Sequence, residues 1–322
     1  MSETKKPHVL LTGGRGYIGC RLAAHLDAQG WHVVIGSRHP QPIPALAGHP
    51  VEYRQLDWTD PANLTAAASG CDFVVHLAAP NEIIAGQSVE EAVVGTIHTV
   101  TKMLPAAEAA GASRFLYFST AHVYGSPLEG RLHEDRSAKP RHPYSITHRT
   151  AEDFVLSHRG NMHPVVIRLS NSIGAPLCPD TDRWKLLGND LCRQVVETGA
   201  MKLLSDGTAL RDFFPMEDVC RAVRFLLEST LPATENLYNV GAGRSYSIRE
   251  IAECVADVRE ASGHPRPPIQ FGPPGAVSPA FEFCVEKFHA LGFRPASTIR
   301  EEIEKTLHVC ETWFGNTAQP TA

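Results

Sequence analysis

Leu11-Thr12-Gly13-Gly14-Arg15-Gly16-Tyr17-Ile18-Gly19 follows directly on an apolar run that starts at Val9. An apolar strand running into closely spaced glycines and then a helix is the signature of a nucleotide diphosphate site. Gly13 and Gly14 allow the sharp turn. Gly16 lets the backbone approach a pyrophosphate, and Gly19 lets the helix pack against the strand. The new helix aims its free N–H groups and positive dipole end at the phosphates. The flanks suit this reading: 9–12 is strand-like, and 20–29 reads as a helix closed by Gly30. The motif alone also fits a glycine turn that holds nothing.

The alternation continues outward. Strands are predicted at 9–12, 32–37, 51–55, 73–77, 114–119 and 165–169, with helices at 19–29, 61–68, 89–110 and 144–158. Apolar strands alternating with helices predict an α/β fold, a Rossmann-type doubly wound parallel sheet covered on both faces. Ligands bind at the carboxyl ends of such strands, where residues 37, 57, 78–80 and 119–120 fall. The second half is less regular. Pro/Gly-rich loops are predicted at 173–183 and 265–279, helices at 184–198, 217–229, 247–261 and 299–313, and a frayed tail at 315–322. The expected division is a dinucleotide-binding unit at 1–170, rejoined by segments near 212–240, and a smaller α/β, mainly substrate-binding region at 171–322.

Composition narrows the partners. The 322 residues are 43% hydrophobic, enough for one large domain or two smaller ones. The net charge is −5 and no Lys/Arg-rich stripe occurs, which argues against nucleic acid. No apolar run reaches membrane-span length, and Met1-Ser2-Glu3-Thr4-Lys5-Lys6 is not a signal peptide, so the expectation is a cytoplasmic protein with no membrane partner. The eight cysteines are scattered without a Cys-x-x-Cys, which predicts reduced thiols rather than disulfides or zinc. His122, His133, His142 and His148 share one region but no metal-ligand spacing, so no metal is expected.

The second strand ends in Gly36-Ser37-Arg38, where dinucleotide folds carry a carboxylate for the adenosine ribose. A hydroxyl beside a guanidinium suits a 2′-phosphate, so NADP(H) is favoured over NAD(H). The alternative makes Arg38 a solvated loop charge. Asp57 could accept from the adenine amino group or cap the helix that begins near Pro61. Leu77, Ala78 and Ala79, after the fourth strand, complete the cofactor side.

Two further segments carry chemistry: Phe118-Ser119-Thr120-Ala121-His122-Val123-Tyr124-Gly125 at a strand end, and Pro143-Tyr144-Ser145-Ile146-Thr147-His148 at a helix start. Tyr144 and His148 are four apart and share a helix face. A tyrosine against a nicotinamide can pass a proton to or from a sugar oxygen while hydride moves at carbon. A Thr120 hydroxyl can hold that oxygen. A free tyrosine has a pKa of about 10, so it needs a positive or hydrogen-bonding neighbour to act as a base.

With these residues the chain resembles the extended short-chain dehydrogenase/reductases, in the NAD-dependent epimerase/dehydratase group that acts on nucleotide sugars. The resemblance spans nearly the whole chain. It rests on Thr12–Gly19; on Ser119, Thr120, Val123, Tyr124 and Gly125; on Tyr144; on Arg168-Leu169-Ser170-Asn171 with Gly174 and Pro176; on Gly207 with Arg211-Asp212-Phe213; and on Tyr238-Asn239-Val240-Gly241. It implies that Thr120 holds the substrate oxygen and Tyr144 is the acid/base. It implies that Asn171 and Arg211 contact the nucleotide diphosphate of a nucleotide-sugar substrate. Read plainly, Asn171 is a turn residue, and Arg211 pairs with Asp212 or Glu217. The resemblance also implies a homodimer, formed by helices near 89–110 and 144–158.

The chain departs from that pattern in three places. His148 stands where the family has a lysine that binds the nicotinamide ribose and lowers the tyrosine pKa. An imidazole still hydrogen-bonds, but it is mostly neutral at pH 7. Ala121 and His122 replace the Asp-Glu of the sugar 4,6-dehydratases, which disfavours dehydration; His122 is left as an extra acid/base or a packing residue. Pro273-Pro274-Gly275-Ala276-Val277 replaces a basic diphosphate contact, which leaves that role to Arg211, Arg183 or Lys185. The leading expectation is an NADP(H)-dependent reductase of a nucleotide-linked keto-sugar. The alternatives are an epimerase with tightly held NAD and, because of His148, a non-catalytic dinucleotide binder.

Overall fold

The structure, a computed structural model, describes residues 6–234, 236–274 and 279–315. Residues 1–5, 275–277 of the replaced diphosphate segment and 316–322 of the expected tail lie outside it. Seven parallel strands form the main sheet: β1 (His8–Thr12), β2 (His32–Ser37), β3 (Glu52–Gln55), β4 (Phe73–His76), β5 (Arg114–Thr120), β6 (His163–Leu169) and β7 (Leu237–Val240). Their order is β3-β2-β1-β4-β5-β6-β7, so the winding reverses between β1 and β4 and opens a crevice at their carboxyl ends. This is the predicted fold class. β7 is not among the predicted strands. Four residues with a central polar Asn239 give no periodic signal, and pairing with β6, Leu237 opposite Val166, makes the strand.

The strands are apolar on both faces because helices cover both. Val9, Leu11, Val33 and Ile35 pack under the helices Tyr17–Ala28 and Met216–Glu228. Leu10, Val34, Val74 and Phe115 pack under Pro61–Ala68, Thr99–Ala109 and Pro143–Leu156. The helix predicted at 89–110 is interrupted. It runs Val89–Ala92, widens to a π turn at Val93–His98 and continues as Thr99–Ala109. The Thr99 hydroxyl bonds back to the carbonyls of Gly95 (2.8 Å) and Thr96 (3.1 Å), competing with the regular ladder.

A smaller lobe has its own core of Ile173, Leu191, Val195, Ile251, Val255, Ile303 and Leu307. Its helices are Leu187–Thr198, Ile248–Ala261 and Ile299–Phe314. The first starts three residues later than predicted, because Trp184 turns back to donate its indole N–H to the Pro179 carbonyl (2.8 Å). A three-stranded sheet of Asn171–Ile173, Leu210–Pro215 and Ser245–Ser247 accompanies the lobe; none of its strands is among the predicted ones. Its parallel register sets Asn171 opposite Phe213, close to Arg211 on the same strand. All eight cysteines are free thiols. Among the described residues no helix is long and apolar enough to cross a membrane.

Candidate active site

The glycine turn is built as tightly as its sequence demands. Gly13 has φ +70°, and a Cβ there would lie 2.8 Å from the Ala78 nitrogen and the Leu77 carbonyl carbon. A Cβ on Gly19 would lie 2.6 Å from the Gly13 oxygen and the Gly14 Cα. Gly19 therefore packs the helix on the turn itself rather than on the strand. Gly16 precedes Tyr17–Ala28 without any side-chain cap, which leaves the first-turn N–H groups, Ile18 among them, for a ligand. The Tyr17 side chain is otherwise engaged: its hydroxyl donates to the Gly174 carbonyl (2.6 Å) and ties the turn to the lobe.

One cavity of about 1260 Å³ lies above the carboxyl ends of the strands. On one side it is lined by Gly13, Gly16, Tyr17, Ile18 and Gly19, with Ser37 and Arg38 at the end of β2 and Leu77, Ala78 and Ala79 after β4. On the other side lie Thr120, His122, Tyr144, His148 and Asn171. Arg211 lines a separate small pocket of about 110 Å³, which shares Asn171, Ser172 and Leu186 with the large one. Arg183 lines the large cavity; Lys185 does not. Asp57 is exposed between the lining residues Leu56 and Trp58. Its carboxylate accepts from the Thr59 hydroxyl (2.6 Å) and N–H (2.9 Å), which hold its pKa below the usual range. It does not cap the helix at Pro61. Asp60 does, accepting from the N–H groups of Ala62 and Asn63, as an Asp immediately before a first-turn proline would signal.

Thr120 is buried at the end of β5, where its Oγ accepts from the His122 N–H (3.2 Å) and lies near enough to Tyr144 to pull its pKa down slightly. Tyr144 opens the helix Pro143–Leu156, whose N-cap His142 accepts the Tyr144 N–H (3.2 Å). Burial pushes the Tyr144 phenol up to about 12, and Glu82 adds to this against the smaller opposing effects of Arg183 and Thr120. His148 follows one turn later, its ring 4.5 Å from the Tyr144 ring. Its Nδ1 lies 2.7 Å from the Tyr117 hydroxyl, and its buried Nε2 has no partner among the described residues. Burial pushes His148 down to about 4, against a weaker pull from the Phe118 carbonyl, so it is neutral at pH 7. Burial and then Arg211 lower the His122 pKa as well, with Glu82 opposing.

A second neutral imidazole lies deeper. His76 is fully buried, bonded to Thr12 (2.9 Å) and Thr99 (3.3 Å), and pushed down to about 3 by burial, with His148 adding to the effect. Both histidines have folded-state pKa values below the unfolded value of 6.5, so their contribution to stability is present above pH 6.5 and is lost as pH falls towards 4. Near pH 5 these two groups alone should lower stability by roughly 2–3 kcal/mol per pH unit. Unfolding midpoints measured between pH 7 and 4.5 check this; a flat profile would contradict it.

Sequence reasoning missed the scaffold behind the site. Glu152 is fully buried; it accepts from Ser119 Oγ (2.5 Å) and from Arg168 Nε (3.0 Å) and Nη2 (2.7 Å). The Arg168 guanidinium stacks 4.7 Å from the centre of the Tyr124 ring. The Tyr124 hydroxyl donates to Asn239 Oδ1 (2.7 Å), and Asn239 Nδ2 donates to the carbonyls of Leu132 (2.8 Å) and Cys284 (2.9 Å). Arg168, Tyr124 and Asn239 thus hold the ends of β5, β6 and β7 together. Glu152 lies four residues after His148 on the same face, and a carboxylate on a buried face was the available signal.

Neither suggested partner pairs with Arg211. The Asp212 carboxylate accepts from the Ala242 (2.9 Å) and Arg244 (3.2 Å) N–H groups and is raised to about 6 by burial, while Glu217 bonds His25 (2.9 Å). Arg211 donates to the Leu210 carbonyl (2.7 Å) and forms no ion pair among the described residues. Asn171 is a strand residue rather than a turn residue; its Nδ2 donates to the Asp212 carbonyl (3.1 Å). Beside Tyr144, two contacts clasp the segment after β4 to the lobe: Asn81 with Asp182 (2.9 Å) and Arg183 with Glu82 (3.3 Å).

The chain matches the model of the NAD-dependent epimerase/dehydratase family over residues 9–241. A dTDP-6-deoxy-L-talose 4-dehydrogenase (NAD(P)(+)) from Kitasatospora kifunensis is 30% identical over 99% of this chain and 99% of its own. A UDP-glucose 4-epimerase from Corynebacterium glutamicum is 27% identical over 90% of this chain and 91% of its own. The solved structure of MoeE5 in complex with UDP-glucuronic acid and NAD is 26% identical, has a TM-score of 0.74, and covers 94% of this chain and 98% of that one.

Proposed function

This chain belongs to the NAD-dependent epimerase/dehydratase family, and we propose that it is an NADP(H)-dependent reductase of a nucleotide-linked keto-sugar. The cavity fits a nicotinamide dinucleotide: a turn with no room for a Cβ at Gly13, an uncapped helix start, and an unpartnered His148 Nε2. Bound there, such a cofactor supplies the hydride. The first-turn N–H groups after Gly16 hold its diphosphate. Ser37 and Arg38 take a 2′-phosphate, and His148 takes the nicotinamide ribose. Asn171 and Arg211, in adjoining pockets, take the diphosphate of the nucleotide sugar.

The placement of Tyr144 beside Thr120 supports the proton-transfer half of this reading. Family catalysis in the oxidative direction removes a proton from a sugar hydroxyl, which needs a phenolate. Here the neighbouring imidazole is neutral, and Tyr144 is held up at about 12, so it carries its proton at neutral pH. A protonated phenol beside Thr120 is set to give that proton to a carbonyl oxygen as it becomes a hydroxyl. The full-length likeness to a dehydrogenase named for NAD(P)(+) supports an oxidoreductase with net turnover of cofactor. Exposed Val89, Val93 and Val94 on one helical segment, with Ile146 and Phe154 on another, suit a homodimer.

NADPH oxidation with a panel of nucleotide-4-keto-sugars is the direct test. No turnover, together with near-stoichiometric NAD(H) released on denaturing the purified protein, would favour the epimerase; dinucleotide binding without any sugar chemistry would favour the binder. Arg38 is exposed at the cavity edge, and charge-assisted hydrogen bonds are worth about 1.5–3 kcal/mol. Arg38→Ala should therefore raise the Kd for NADPH by about 10- to 100-fold and leave that for NADH within about twofold. Equal weakening of both would remove the 2′-phosphate assignment.

A further inference from the structure

The buried side of His148 has a partner of its own. Tyr117 points from β5 into the interior, 1% exposed, with its ring packed against His76 (6.0 Å) and His148 (5.8 Å). Its hydroxyl makes one hydrogen bond among the described residues, to His148 Nδ1 at 2.7 Å. A buried O–H proton left without an acceptor forfeits its hydration with nothing in return. The acceptor within reach is Nδ1, so the phenol donates and Nδ1 must be the unprotonated nitrogen. A neutral imidazole has one N–H, and the hydrogen bond made by one nitrogen sets which nitrogen bears it. That proton then sits on Nε2, the buried atom with no protein partner, on a residue that lines the cavity.

We propose that Tyr117 is a positioning residue that fixes His148 as the Nε2–H tautomer, so that this N–H donates to a hydroxyl oxygen of the nicotinamide ribose. The inference rests on the dinucleotide reading above, but not on the direction of the reaction. It gives the pair the hydrogen-bonding half of the family lysine's role without its charge. Nδ1 is held by protein, while Nε2 has no hydrogen-bond partner among the described residues and belongs to a residue that lines the cavity. Tyr117 and His148 come from a strand and a helix 31 residues apart, so no local motif announces them.

The test uses 15N-histidine-labelled full-length protein without cofactor, with His148 assigned by its loss in His148→Gln. The expected spectrum has the proton on Nε2 and a bare Nδ1; a proton on Nδ1 overturns the proposal. Tyr117→Phe keeps the ring packing and removes the donor. It should convert the His148 signals to a tautomer mixture and raise the Kd for NADPH and NADH alike by about fivefold, the value of one net hydrogen bond. Unchanged affinities with an unchanged tautomer overturn it. If neither dinucleotide binds the unsubstituted protein, the dinucleotide reading falls and takes the inference with it. If both bind but no keto-sugar is reduced, only the reductase reading falls. The spectrum of the unsubstituted protein decides the tautomer even if Tyr117→Phe does not fold.

Discussion

A Tyr144→Phe protein should bind NADPH within about twofold of the unsubstituted chain yet reduce its keto-sugar about 10²- to 10⁴-fold more slowly. The substitution removes one oxygen and leaves the ring against His148, so packing and the cofactor cavity persist. What is lost is the proton that the half-buried Tyr144 holds beside Thr120. With Phe, the carbonyl oxygen retains one hydroxyl partner, Thr120, and no positioned acid. Single-turnover rates at saturating NADPH measure the chemical step. A loss below tenfold would move the acid to another group, and His122 would be examined next, since it lines the same side of the cavity.

Glu152→Ala should cost the fold about 3–5 kcal/mol, the range for a buried ion pair deprived of one partner. Arg168 would keep its charge at 3% exposure with its main counter-ion gone, and Ser119 would lose its acceptor. Typical domains hold only about 5–15 kcal/mol in all, so the urea midpoint should fall steeply. A double variant, Glu152→Met with Arg168→Met, separates burial from pairing: two apolar side chains leave no unmatched charge and should restore most of the lost stability. If Glu152→Ala costs under about 1 kcal/mol, water reaches the pair and it behaves as a surface bridge.

The features legible in the sequence are those whose cause is local. The glycine turn is set by backbone freedom within a few residues, and six strands of the sheet announce themselves as apolar runs. Tyr144 and His148 share a helix face by spacing alone. The features that were not legible depend on distant partners. β7 becomes a strand because β6 lies beside it. Thr99 opens the π turn through hydrogen bonds that helical spacing does not predict. Asp57 lost the cap to Asp60, a neighbour better placed before Pro61. Arg211 reads equally well as paired or free until Asp212 is seen holding the 242–244 loop. His148 was legible as a departure, but its neutrality comes from burial that only the packed structure supplies.

The brace behind the site also has a consequence in time. Tyr124 waits for Asn239, and Asn239 is itself anchored on Cys284, beside a strand, Phe281–Phe283, that pairs with Gly130–Leu132. A chain made from its N-terminus carries Thr120 and Tyr144 long before these late segments exist. The catalytic end is thus finished only after Cys284 has been added to the growing chain. A nascent chain stalled short of residue 237 would carry the whole glycine turn and still lack a fixed place for its acid. Catalytic turnover would then emerge late, at one stage of synthesis, in arrest-and-probe experiments on chains of increasing length.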